Sequence, residues 1–383
     1  MDIDSDEIHP FRFRRTRPFA RQVARIADQH RAAFQGVGLF DAVAGQVLAT
    51  YQEVIGRRPV AERPKAATAI VMSEGSLAVQ YARFVAKGRN TFMLTPALVE
   101  MLSHTDMAGV RLSDLSLPFD SFYIGLGGAF DGALPGLPNH IDGAYVERVA
   151  QDTLTVFLTT RRLGPDALGG KGWPETRDDY FAVHLKDRDG QTSLLDAFNA
   201  AVEEEINRKP EHETIKEALE DPDFKAPDGW AVTLPREPMH VEIMTRFTAS
   251  VPAAAIAVAL VGNALCYLSA APEVSEPSLP DDAPVVTAMA LLTGTPKVQQ
   301  KARAELLDRG ISVIRWLGPR QSPSASSGRG GGGGGRQAAH WRRGHWRRQA
   351  HGVGRLERKL VWIAPMMVGT GQIEPRERVY LVE

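Results

Sequence analysis

The sequence predicts an α+β fold: a helical N-terminal region, a mostly antiparallel sheet packed on a long apolar helix, and a C-terminal β-hairpin after a Gly-rich linker. Three observations predict it. Helix-period and strand-period segments fall in separate runs, which argues against alternating βαβ units. The 383 residues are 43% hydrophobic and 24% charged, enough apolar material for a sizeable core. A run of six glycines at 330–335 sets the last strand-like segments apart from the rest.

From the N-terminus, residues 17–34 space Phe19, Val23, Ile26 and Phe34 at helical intervals, and 39–55 do so with Phe40, Val43, Val47, Leu48 and Tyr51. Gly56 and Pro59 close that pair. Further helices are expected over 76–87 and 96–102. Strand character follows at 122–126, 144–149, 153–161 and 180–185, with a Pro-Gly turn at 131–138. Helices return at 193–207, 211–220 and 239–271, where Pro252 should kink or divide the long segment. Residues 272–284 read as loop, 297–309 as helix and 312–316 as strand. Residues 317–339 bury too little apolar surface to offset their ordering entropy and read as a flexible linker. Strand-like segments at 340–348 and 358–367 follow, with a third candidate at 378–382. The expected organisation is a helical region 1–110, an α+β core 111–316, the linker 317–339, and a basic-aromatic β segment 340–383 packing on the core.

Several function classes fall away. The single Cys266 rules out an intrachain disulfide and any multi-cysteine zinc site, which suits a reducing cytoplasm. No signal peptide is expected, since the acidic and then arginine-rich N-terminus lacks an apolar core. Segment 251–271 is apolar, but its alanines, with Gly262 and Asn263, favour a buried core helix over a membrane span. Gly125-Leu-Gly-Gly-Ala-Phe130 lacks the third glycine and the following helix of a dinucleotide fingerprint. His212-Glu-Thr-Ile-Lys216 has lysine where a zinc-protease helix needs its second histidine. Cys266 has no basic neighbour to stabilise a thiolate and reads as core. No catalytic residue, metal site or cofactor is therefore expected.

One segment stands out. Residues 329–359 hold nine Arg or Lys against one acidic residue, in a chain whose net charge is −1. Such segregation marks a surface for an acidic partner, either nucleic acid or an acidic polypeptide. At its centre lies a tandem, His340-Trp341-Arg342-Arg343, Gly344, His345-Trp346-Arg347-Arg348. In an unbroken strand, one face would carry His340, Arg342, Trp346 and Arg348, and the other Trp341, Arg343, His345 and Arg347. Arginine forks bind phosphate or carboxylate and indoles offer stacking platforms, while Gly344 permits a bulge or a close backbone approach. These residues, with Arg358 and Lys359 on the partner strand, form the candidate partner-binding set. The alternative is an edge strand with a solvated arginine face and inward tryptophans. Trp362 reads as core. The arginines also argue against a metal at the neighbouring histidines.

The segment resembles the C-terminal region of the AcrVA-type (type V-A) anti-CRISPR family of phages and plasmids. The matching positions are His340, Arg342, Arg343, Gly344, His345, Trp346, Gly352, Gly354, Arg358, Lys359, Trp362 and Gly369. Weaker correspondences lie at Leu117-Pro118, Phe122-Tyr-Ile124, Ile141, Gly143, and Leu265-Cys-Tyr-Leu268 followed by Pro272-Glu273. The resemblance implies a non-enzymatic inhibitor in the bacterial cytoplasm. Its implied partner is the nascent polypeptide of a type V-A effector nuclease, with the messenger RNA or the ribosome as further contacts, and its implied effect is loss of that messenger. From the residues alone, a nucleic-acid-binding protein without a CRISPR connection is the alternative.

Overall fold

The computed structural model describes residues 8–29, 43, 45–47, 49–50, 67–127, 139–162, 180–208, 237–270, 278–319 and 340–368. The elements expected at 131–138, 211–220 and 378–382, residues 320–339 of the linker, and Gly369 lie outside them.

Among the described residues, the first layer holds α1 (His9–Thr16), α2 (Ala20–Gln29) and α3 (Ala67–Ala86), with the helical residues at 43, 45–47 and 49–50 joining the same core through Val43 and Val47. The sequence pattern missed α1, a short helix rich in arginine, although Pro10 in its first turn is a helix-start signal. The helix expected from residue 17 starts only at Ala20, because Arg17 is extended and ends α1. Its guanidinium instead makes two bonds, of 2.7 and 2.8 Å, to the buried Glu74 on α3.

The second layer is a six-stranded sheet of β1 (Thr91–Leu94), β3 (Ser121–Gly125), β4 (Asn139–Ala150), β5 (Thr153–Arg162), β6 (Tyr180–Lys186) and β7 (Ile314–Leu317). The order is β6-β5-β4-β3-β1-β7. The first four strands are antiparallel, as expected, while β1 pairs in parallel with both β3 and β7. The sequence reading missed β1: it is four residues long, too short to display a period, and it lies within the region read as helical. Alternation along the strands feeds two cores. Tyr123, Tyr145 and Phe157 pack against the first helical layer, while Phe122, Ile124, Val156 and Leu158 face the other way.

The third layer covers that other face with α4 (Pro96–Ser103), α5 (Leu194–Ile206) and α6 (Glu237–Ala270). Thr95 caps α4, accepting the Leu98 N–H at 3.2 Å, and Ser193 caps α5, accepting the Asp196 N–H at 3.1 Å. Of the two outcomes expected at Pro252, a kink or a division, division does not occur, since α6 continues through it. Pro252 is exposed, as is Thr248 four residues earlier, the residue whose carbonyl loses its helical donor to the proline. Within α6, Phe247–Ala270 is long and apolar enough to cross a membrane, but 61% of its most apolar window is buried inside the protein. Ala254, Ala257, Val258, Val261, Ala264 and Leu265 are fully enclosed. Cys266 is enclosed with them, and burial pushes its thiol well up. Helices α7 (Val285–Thr293) and α8 (Pro296–Asp308) pack on each other before β7.

A buried polar cluster ties α1 to the sheet. A bulge in β4 between Ile141 and Gly143 places Asp142, which accepts from Arg12 at 2.7 Å and Thr159 at 2.6 Å. Gly143 is required there, since a Cβ would collide with the Tyr123 hydroxyl. His9 shares a 3.0 Å hydrogen bond with the Tyr145 hydroxyl. Burial, and then the Arg12 charge, hold the His9 imidazole well below its ordinary 6.5.

Two consequences are measurable. Arg12→Ala leaves a buried carboxylate uncompensated and should cost about 3–5 kcal/mol in urea denaturation. For His9, the unfolded chain takes up the proton first. Stability present above pH 6.5 is therefore lost as the pH falls from there through the lower folded value. Melting curves should show a smaller loss between pH 7 and pH 5 for His9→Leu than for the parent chain.

Candidate functional site

The C-terminal segment folds as a two-armed ribbon. Strand β8 (His340–Arg342) pairs with β11 (Met366–Val368), and β9 (Gly344–His351) with β10 (Glu357–Ile363), all antiparallel. One register runs through both pairs, with Arg342 opposite Met366 and His345 opposite Ile363. Instead of two unbroken strands, the ladder is interrupted at Arg343–Gly344 opposite Ala364–Pro365. Pro365 has no N–H to contribute, and its ring leaves no room for a side chain at Gly344. A Cβ at Gly344 would lie 2.7 Å from both Pro365 Cδ and the Ile363 carbonyl oxygen. Gly344 is thus the close backbone approach that its position allowed. It also donates its N–H to the His104 carbonyl at 2.9 Å, opening a short parallel pairing of β9 with β2 (Thr105–Asp106).

The interruption resets the faces. An unbroken strand would put Trp341 and Trp346 on opposite sides, but both tryptophans turn toward the body. Trp341 is half-buried and stacks on His104, with centroids 4.8 Å apart. Trp346 is 7% exposed and stacks on Trp362, which meets Tyr267 of α6 edge-on. The Trp346 indole N–H donates to Asn263 Oδ1 at 2.7 Å. Asn263, on α6, donates in turn to the Leu102 and Thr105 carbonyls at 3.3 and 3.2 Å. The Trp362 N–H reaches Thr105 Oγ1 at 3.2 Å. Arg348 is also turned inward, and its guanidinium pairs with Asp114.

The candidate residues therefore divide. Trp346, Arg348 and Gly344 anchor the ribbon, and Trp362 is core as expected. His340, Arg342, Arg343, His345, Arg347, Arg358 and Lys359 are exposed, and Trp341 lies at the margin between the two sets. Among the described residues, none of the exposed Arg or Lys of this set has an acidic partner; the nearby Glu357 carboxylate lies 3.2 Å from the His351 ring instead. Among the described residues, Arg347 reaches Gln349 and Arg358 the Arg355 carbonyl. Sequence reasoning missed Asn263, His104 and Asp114. The first carried a signal, a lone amide in an otherwise apolar helix, which a buried position obliges to find partners.

The anchor is testable without touching the exposed face. Trp346→Phe keeps a ring in the stack but strips Asn263 Oδ1 of its donor, and should cost about 1–3 kcal/mol. Urea denaturation followed by tryptophan fluorescence reads this, with Trp346→Leu as the more damaging comparison.

Comparison with known proteins bears on the same segment. No curated protein matches the sequence. Among solved structures, the fold aligns with "Crystal structure of AcrVA2" at a TM-score of 0.38 and 11% identity, covering 96% of this chain and 98% of that one. A family model described as AcrVA2-like, anti-CRISPR type V subtype A2, matches residues 92–370. That span runs from β1 to the end of the ribbon and takes in well over half of the sequence, so the chain belongs to the AcrVA2-like anti-CRISPR family.

Proposed function

We propose that the outward face of the ribbon binds an acidic stretch of the nascent polypeptide of a type V-A effector nuclease, suppressing its production in the cytoplasm of a bacterial host. Anti-CRISPR action of type V-A is the family's assignment. The observation that carries the finer reading is the sorting of charge on the ribbon. Arg348 is consumed by Asp114, while Arg342, Arg343, Arg347, Arg358 and Lys359 remain exposed on a backbone held from behind. Arginine forks suit carboxylates, and a rigid support lowers the entropy cost of presenting them. The mode of action is binding, with no catalytic step, cofactor or metal. The gene would be carried by a phage or plasmid.

A second reading rests on Trp341. Its half-buried stack with His104, beside Arg342 and Arg343, suits a base and phosphate of the effector's messenger. Salt separates the two, because phosphate contacts release counterions and make affinity fall steeply with ionic strength.

The decisive variant replaces Arg342, Arg343, Arg347 and Lys359 by alanine and leaves Arg348 in place. Its stability should stay within about 0.5 kcal/mol of the parent. Its affinity for a synthetic peptide covering the effector's N-terminal stretch should fall about tenfold or more, roughly one charge-assisted bond's worth. Loss of messenger binding alone would favour the second reading. Unchanged affinity for both would show that this face is not the site.

A further inference from the structure

Among the described residues, strand β10 is bonded on one side only. The sheet order is β10-β9-β2, and among the described residues no strand pairs with the outer edge of β10. Among the described residues, seven residues of backbone, roughly 24 Å at strand rise, therefore carry alternate N–H and C=O groups on that edge without a strand partner.

Open edges are normally guarded by charge, proline or a bulge. On β10 the guards lie at the ends. Arg358 and Lys359 flank the turn, and Pro365 follows the strand. Between them, Leu360-Val361-Trp362-Ile363 is uncharged and half-buried. The edge thus has a cationic half and an apolar half. On the outward face, Lys359, Val361 and Ile363 stand opposite Gln349, Arg347 and His345 of β9. On the inner face, Leu360 and Trp362 pack on the main core.

We infer that the outer edge of β10 receives the partner as an added β-strand, an extended polypeptide with acidic residues along Arg358 and Lys359 and apolar, β-forming residues along Leu360–Ile363. The inference rests on the polypeptide-binding reading above and gives that reading a geometry. Backbone bonds along the edge supply affinity, while alternate side chains, read by the cationic and apolar halves, supply selectivity. An added strand also extends a surface already held in place by Trp346 and Trp362, so the protein reorganises little on binding.

The test uses the full chain and a synthetic peptide covering the N-terminal stretch of a type V-A effector. Hydrogen exchange should show alternate amides within 357–363 exchanging freely in the unbound protein and about tenfold more slowly with peptide. Two peptides N-methylated on alternate residues keep every side chain but lose opposite sets of backbone donors. One should bind about tenfold or more weakly, and the other like the unmodified peptide. Tight binding with no change in β10 exchange, and indifference to both methylation sets, would sink strand addition while leaving peptide binding intact. Protection of the outward amides in the free protein would show the edge already occupied and overturn the inference. Absence of any peptide binding would overturn both this inference and the functional reading beneath it.

Discussion

The Asn263 side chain, enclosed on the long helix α6, accepts the Trp346 indole N–H and donates to the carbonyls of Leu102 and Thr105. A buried amide costs free energy unless paired, and here one amide meets three separate elements. It ties the ribbon, the end of α4 and the start of β2 to the helix that fills the main core. The Trp346–Trp362 stack adds apolar contact, and Thr105 completes the set by taking the Trp362 N–H. An isolated two-stranded ribbon is marginal in water. This one is ordered because its inner face completes a core whose polar groups have nowhere else to bond.

That anchoring explains how a strand with six arginines or histidines in nine residues can be folded at all. Both faces of the tandem carry cations in the sequence, and a strand buried on two sides could not accommodate them. The break at Arg343–Gly344, opposite a proline that cannot donate to the ladder, leaves both tryptophans inward and Arg342 and Arg343 exposed. The two repeats thus share the outward histidine and first arginine and the inward tryptophan, but differ at the last arginine, exposed as Arg343 and paired with Asp114 as Arg348.

Much of the fold was legible because it obeys local periods. The strand around Val183 alternates, those around Phe122, Val146 and Val156 are rich in strand formers, and the helices near Leu98, Phe198 and Leu306 show their caps or their stripe. What escaped was set by tertiary contact. Strand β1 is four residues with every side chain buried, so no alternation marks it. The Arg17 boundary depends on Glu74, fifty-seven residues away. In the site, residue types located the ribbon, but strand period alone gave the wrong faces, because the kink depends on a proline in the other arm. Strand period put Arg348 on the face of Trp346 and Arg347 on the other, but it did not say which face turns inward. Only the proximity of Asp114 separates an anchoring arginine from an exposed one.

Charge segregation in this chain follows from how its acids are used. Asp142 holds Arg12, Glu74 holds Arg17, Asp282 holds Arg14, Glu147 meets Arg83 and Glu204 meets Lys186. These pairs neutralise cations of the helical layer and of the sheet. Among the described residues, only Asp114 crosses from the body to an arginine of the ribbon. The ribbon cations thus keep their charge outward and stay apart from the body's carboxylates. A near-neutral chain can in this way carry a local positive field strong enough to steer an acidic segment, without the self-repulsion that a uniformly basic protein would bear. Steering needs charge and retention needs shape. The charged part of the ribbon supplies the first, and the apolar stretch of β10 beside it is placed to supply the second.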